Sequence, residues 1–156
     1  MADTRSSRPR GFFSDDEQER ILAAIETAER RTSGEIRLHL ERDVPDEAPS
    51  GGDPYRRSRR VFERLHMHRT AARNGVLVYM AVRARRFAVV GDEALHARVG
   101  DDFWADVIET MGRHFAEDRF VEGVVAGIHR IGEKLREHFP YRDDDVNELP
   151  DEISFD

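Results

Sequence analysis

The chain has 156 residues, about one domain's worth, with 38% hydrophobic and 37% charged residues and a formal net charge of −7. It holds no cysteine, which excludes disulfides, thiolate metal sites and a cysteine nucleophile. No apolar run approaches the roughly 18–20 residues of a membrane span, and none follows the basic N-terminus MADTRSSRPRG, so neither a span nor a secretory leader is expected and a cytoplasmic location is.

Charge is uneven along the chain. Residues 1–11 read as a basic flexible N-terminus, 12–139 as an α/β domain, and 140–156 as an acidic C-terminal tail. In chain order, Ser14 and Glu17 are spaced as a capping box. They open a helix over 14–31 with a stripe of Ile21, Leu22, Ile25 and Ala28. Gly34 is placed to end it in a left-handed turn. Residues 35–41, EIRLHLE, alternate apolar and polar, which predicts a strand with one wet face near a sheet edge. The loop 42–54 leads to Asp53-Pro54 and a helix to about 68, with Val61, Phe62 and Leu65 inward. Residues 74–82 are continuously apolar, a central strand covered on both faces. Residues 86–92 return antiparallel to it after a tight turn at 83–85. Two helices follow, over 101–117 and 120–138, and Gly123 and Gly127 let the second approach a neighbour closely. The spacing of the first two strands fits a βαβ unit. The fold class expected is α/β, a mixed sheet of three to four strands, the βαβ unit plus an antiparallel hairpin, sandwiched by about four helices.

Strand direction gathers candidate ligands. Strands one and two start at one end of the sheet and strand three finishes there. Thr32, Ser33, Glu35, Asp92, Glu93, Asp101 and Asp102 therefore converge in the expected topology, with segment 91–102 lying above the end. Carboxylates, a hydroxyl and turn carbonyls are oxygen donors for a hard cation, Ca²⁺ or Mg²⁺. The bland roles for the same residues are helix capping, a wet strand face and a turn. The opposite end offers Asp43, Asp46, Glu47 and Asp53 with Arg83, Arg85 and Arg86, where a solvated loop and charged turn are the simpler reading. His66 and His68 do not share a helix face. The run Arg56, Arg57, Arg59, Arg60 reads as a solvated helix face pairing with acids, and the acidic balance argues against nucleic-acid contact. No P-loop, GxGxxG, HExxH, GxSxG or EF-hand pattern is present.

The blocks TSGEIRLHL (32–40), RNGVLVYMAV (73–82), RRFAVVGDEALHARVGDDFW (85–104), HFPY (138–141) and NELPDEISF (147–155) keep their order, and the chain resembles the TPM domain family over about 12–155. The resemblance implies an α/β sandwich with a divalent-metal site in the loops at one end of the sheet. Some members are metal-binding acid phosphatases; others serve photosystem repair or modulate membrane proteins. Carried onto this sequence, the site falls on Ser33-Gly34-Glu35, Gly91-Asp92 and Gly100-Asp101-Asp102. Ser33, Glu35, Asp92, Asp101 and Asp102 are then the candidate metal ligands, with Glu35 and Asp102 as groups that orient water. The expected activity is weak metal-dependent hydrolysis of phosphomonoesters by water; the rival is a non-enzymatic protein-interaction domain with a structural metal or none. The family place of 147–155 implies that Val146, Leu149, Ile153 and Phe155 dock.

Overall fold

The computed structural model describes residues 5–45, 52–141 and 153–156. Among these, helices α1 (Pro9–Phe12) and α2 (Asp15–Glu29) precede strand β1 (Glu35–Glu41). Helix α3 (Pro54–Arg64) and a 3-10 turn at Met67–Arg69 lead to the hairpin of β2 (Gly75–Ala81) and β3 (Arg86–Gly91). Helices α4 (Glu93–Ala116) and α5 (Phe120–His138) follow, and a short strand β4 (Ile153–Phe155) closes the chain. The helix starts obey the local rules. Ser14 Oγ accepts from the Glu17 amide while Glu17 accepts from the Ser14 amide, a complete capping box. Asp53 accepts from the Tyr55 amide ahead of Pro54.

The sheet runs β3-β2-β1-β4. β1 and β2 are parallel, with Glu35 opposite Gly75 and Leu40 opposite Met80. β3 is antiparallel to β2, and β4 is parallel to β1 with Leu38 opposite Ile153. One face carries Ile36, Leu38, Leu40, Val76, Val78 and Val89 against Ile21 and Ile25 of α2, Met111 of α4 and Ile128 and Ile131 of α5. The other face carries Leu77, Tyr79 and Val90 against Val61 and Phe62 of α3 and Met67 of the 3-10 turn. This is the expected mixed α/β sheet between helical layers.

Several expectations change in detail. β1 is not an edge strand with a wet face: β2 and β4 flank it and all seven residues are buried. Its polar positions face protein, so alternation here marks two kinds of buried surface rather than buried and wet. Gly34 is not a left-handed terminator, because Gly100 has the only positive φ among the described glycines. α2 instead ends at Glu29, and a Cβ on Gly34 would lie 2.6 Å from Leu135 Cδ2. Glycine is needed there for close approach of α5. α3 stops at Arg64 rather than near 68, and the chain reverses through His66 at φ 61. Segment 91–102 is not a loop over the sheet. It is already helical from Glu93, and the chain bends at Gly100 (φ 75, ψ 175) before continuing as the expected helix. Only glycine enters that region without strain. Of the tail, 153–156 are docked, with the Asp156 amide donating to Leu40 O; Val146 and Leu149 lie outside the described residues.

The expected close approach at Gly123 and Gly127 is present. A Cβ on Gly123 would sit 2.5 Å from the Phe115 ring, and one on Gly127 2.6 Å from Met111 Sδ. Gly112 differs, since its nearest contact would be an ordinary 3.8 Å to Phe87. Gly112→Ala should therefore raise stability by about 0.5–1 kcal/mol through helix propensity. Gly123→Ala should lower it by about 1–3 kcal/mol through overpacking. Chemical denaturation of the two variants measures both signs.

Candidate functional site

At the end of the sheet where β1 and β2 begin, short connections hold the loop before β1 in place. The Ser33 amide donates to Phe139 O at 3.0 Å, Thr32 Oγ1 donates to the same carbonyl, and the Tyr141 amide donates to Arg31 O. Asn74 Nδ2 donates to Ser33 Oγ at 3.3 Å. Glu35 and Asp92 flank Gly75 from opposite sides: Glu35 is its register partner, and the Asp92 amide donates to Gly75 O at 2.9 Å. A Cβ on Gly75 would lie 3.3 Å from Met67 O, so the 3-10 turn covers this point closely.

Asp92 is the most constrained carboxylate at this end. Its side chain is 3% exposed, caps α4 by accepting from the Glu93 amide at 2.7 Å, and takes Arg73 Nε at 3.0 and 3.2 Å. Arg73 is 43% exposed and also lies 3.6 Å from Glu93. Asp101 stands apart, 95% exposed, with its carboxylate 3.5 Å from His96 Nε2; His96 Nδ1 accepts from Trp104 Nε1 at 3.0 Å. Asp102 is exposed beside it. The structure thus brings Ser33 and Glu35, where β1 begins, and Asp92, where β3 ends, to the same end of the sheet with β2 between them, and leaves Asp101 and Asp102 on the surface after the Gly100 bend. The helical form of 93–99, unforeseen in the sequence, causes that separation.

A second cluster lies further along β1. His39, Glu41 and Asp156 offer ligand atoms all within 4.8 Å of one another, the only such group of three His, Asp or Glu residues among those described. Arg57 grips Glu41 with Nη2 at 2.6 Å and Nε at 3.1 Å, and reaches Asp156 at 3.3 Å. Arg64 pairs with Asp156, and the Tyr79 hydroxyl donates to Glu41. Both carboxylates are already neutralised by guanidinium groups, so a cation here would enter against two positive charges. The arrangement is an ion-pair clasp that fastens β4 to β1 and α3. Burial and the Glu41 carboxylate push the Tyr79 phenol well above its ordinary pKa, which keeps it a donor.

His39 sits between Ser154 Oγ at 2.7 Å and Asp156 Oδ2 at 3.2 Å. Burial lowers its pKa, while Asp156 opposes that shift and is outweighed. In the neutral ring Nε2 donates to Asp156 and Nδ1 accepts from Ser154. Sequence reasoning missed this cluster because the polar positions of β1 read as solvent-facing. The signal lay in the tail, where Ile153 and Phe155 alternate with Ser154 and Asp156. Arg57, assigned to a solvated helix face, turns inward instead, with its side chain 18% exposed.

The opposite end of the sheet shows turn and cap chemistry. Asp43 lies 3.9 Å from Arg42 and 3.7 Å from Arg83 on the surface, Asp53 caps α3, and Arg86 donates to Gly52 O. Asp46 and Glu47 lie outside the described residues. No helix among the described residues is long and apolar enough to cross a membrane.

Residues 7–134 match the family model described as the TPM domain. No protein with a curated description matches significantly. Among solved structures, the BA42 protein from the psychrophilic bacterium Bizionia argentinensis is 38% identical with a TM-score of 0.84, covering 97% of this chain and 100% of that one. The N-terminal domain of a P. gingivalis protein superposes with a TM-score of 0.62 at 17% identity, covering 81% of this chain and 78% of that one. The N-terminal domain of the cg2496 protein from Corynebacterium glutamicum superposes with a TM-score of 0.59 at 13% identity, covering 79% and 74%. The last two likenesses concern the fold.

Because His39 is held below its ordinary pKa, the unfolded chain takes up more protons as pH falls through about 6.5. The clasp's contribution is complete above that pH and is lost progressively below it. His39→Gln should flatten the fall of melting temperature just below pH ~6.5, before the carboxylates titrate. An unchanged slope would assign the acid sensitivity elsewhere.

Proposed function

Because this chain belongs to the TPM domain family, we propose that it binds a divalent cation, Ca²⁺ or Mg²⁺, where β1 and β2 begin and β3 ends, and that the bound cation supports slow hydrolysis of phosphomonoesters. The observation that carries this reading is Asp92. It is a nearly fully buried carboxylate whose ion-pair partner, Arg73, is substantially exposed, so that partner can be exchanged without unpacking the core. Ser33 and Glu35 add a hydroxyl and a second carboxylate where β1 begins, across β2 from Asp92, and the surface pair Asp101 and Asp102 stands on the helix that Asp92 caps.

The donor set suits a hard cation through its oxygens. Among the described residues it contains no three carboxylates with donors within 4.8 Å. That fits an ion that keeps several waters and takes one or two carboxylates better than it fits a closed cage. A bound cation would polarise a phosphoryl oxygen and lower the pKa of its water. Asp92 and Glu35 would hold it with Ser33, while Asp101 and Asp102 stand apart beyond the helical segment 93–99. Glu35 would orient the attacking water. Arg73, displaced from Asp92, is a fork-shaped donor for phosphate oxygens.

A backbone amide titration with Ca²⁺ and with Mg²⁺ tests this directly. Residues 33–35 and 91–93 should shift together. Shifts at 38–41 and 153–156 would put the cation in the clasp, and no shift at millimolar metal would end the metal reading. Hydrolysis of p-nitrophenyl phosphate should vanish with chelator and fall at least tenfold in Asp92→Asn. Since Asn also caps helices and Arg73 is solvated, that variant should lose no more than about 1 kcal/mol of stability. Metal binding without turnover would identify the non-enzymatic, partner-binding alternative.

A further inference from the structure

The segment from His66 to Arg73 covers the start of β2, and its conformation is costly at both ends and in the middle. His66 has φ 61 and Arg73 has φ 52, left-handed values that crowd a Cβ. Histidine tolerates that region better than most residues; arginine has no such preference. Between them, His68 Nδ1 and Thr70 Oγ1 are buried without a hydrogen-bond partner, and an unpaired buried polar atom keeps its desolvation penalty. Two backbone bonds that shape the turn stay within it: the Arg69 amide donates to His66 O at 3.1 Å and the Arg73 amide to Thr70 O at 3.3 Å.

Three anchors oppose this strain. Met67 is 0% exposed in the smaller core, and Asn74 is 1% exposed with its side-chain amide on Ser33 Oγ. Both belong to the packed interior, which leaves 68–73 as the part that can move. The third anchor is the grip of Arg73 on Asp92, and Arg73 is 43% exposed. Asp92 itself cannot follow, because it is buried and caps α4 by accepting from the Glu93 amide. A competitor for its carboxylate therefore moves the arginine, not the acid.

We propose that residues 68–73 form a strap latched by the Arg73–Asp92 pair, and that a cation taking Asp92 releases it and opens the approach to the start of β2. The trigger rests on the metal reading above; the latch does not. Metal and strap then act in order: the cation binds first, and the phosphomonoester enters after the strap has lifted. Asn74 holds the base of the strap, so the released Arg73 stays at the rim, where its guanidinium meets the phosphate.

The test is amide hydrogen exchange of the full chain, read at residues 69 and 73 with the β2 amides as reference. Without metal, Arg73→Gln removes the latch and keeps the strained backbone; exchange at both amides should rise about fivefold, the scale of an ion pair with one partner in solvent. Arg73→Asn removes the latch and suits positive φ, so its rise should be smaller. Asp92→Asn takes away the other partner and should match Arg73→Gln, and the double variant should exchange no faster than either. In the parent chain, Ca²⁺ or Mg²⁺ should reproduce the rise, and neither should add to it in Arg73→Gln. Unchanged exchange in Arg73→Gln and in Asp92→Asn would overturn the latch, whatever a cation does. A cation that shifts 33–35 and 91–93 without raising exchange at 69 and 73 would overturn the trigger and leave the metal reading standing. Release in the variants with no response to either cation would remove the trigger and the metal reading together.

Discussion

The constraint on which the fold turns is the burial of a polar row on its central strand. β1 sends Ile36, Leu38 and Leu40 into the main core, and period-two geometry then forces Glu35, Arg37, His39 and Glu41 onto the other face. That face is also dry: these four residues are 1–7% exposed. Charges taken out of water cost several kcal/mol each unless they are paired and hydrogen-bonded. The rest of the architecture on that side supplies the pairing. α3 packs its apolar stripe over β2 and β3 and sends Arg57 and Arg64 sideways to Glu41 and Asp156. β2 contributes the Tyr79 hydroxyl, and β4 brings Ser154 and Asp156 to His39. The C-terminal strand thereby completes the electrostatics of the core, which its three residues of pairing alone would not suggest.

The two ends of this strand have different characters. Toward Glu41 the charges are matched, bidentate and closed. Toward Glu35 the structure is more open to exchange, because Asp92 is buried while its arginine is half in solvent. The loop that presents Ser33 is tied to the end of α5 through Phe139 and Tyr141, so it is a fixed platform. A carboxylate held at a helix N-terminus with an exposed counter-charge is a poor stability device, since the pair is screened on one side. It is a better exchangeable ligand. The closed clasp is the reverse case, and for that reason the acid triad with the tightest geometry is the less suitable cation site.

Much of the architecture was legible in the sequence. The capping box at Ser14, the Asp53-Pro54 start, the continuous apolar run of β2 and the paired glycines of α5 each carry a local physical signal, and each is present. The convergence of strand ends followed from counting directions, and it places Ser33, Glu35 and Asp92 at one end. What did not read out is long-range. Alternation in β1 could not distinguish water from buried ions on the polar face, because the partners Arg57, Arg64 and Asp156 are remote in sequence. The helical conformation of 93–99 was hidden by glycines at 91 and 100 that look like loop punctuation. Only the structure shows that Gly100 bends a helix and that Asp101 therefore faces His96 and solvent.

The account stands most directly on the Glu41–Arg57 pair, where the buried row meets α3. A double-mutant cycle with Glu41→Gln, Arg57→Met and the combined variant, read by chemical denaturation, measures it. The prediction is a coupling of about 2 kcal/mol or more, with the double variant more stable than the sum of the single losses implies, because each single change leaves a desolvated charge behind. Additive losses, or single variants within about 0.5 kcal/mol of the parent, would contradict the claim that pairing this buried row organises the fold.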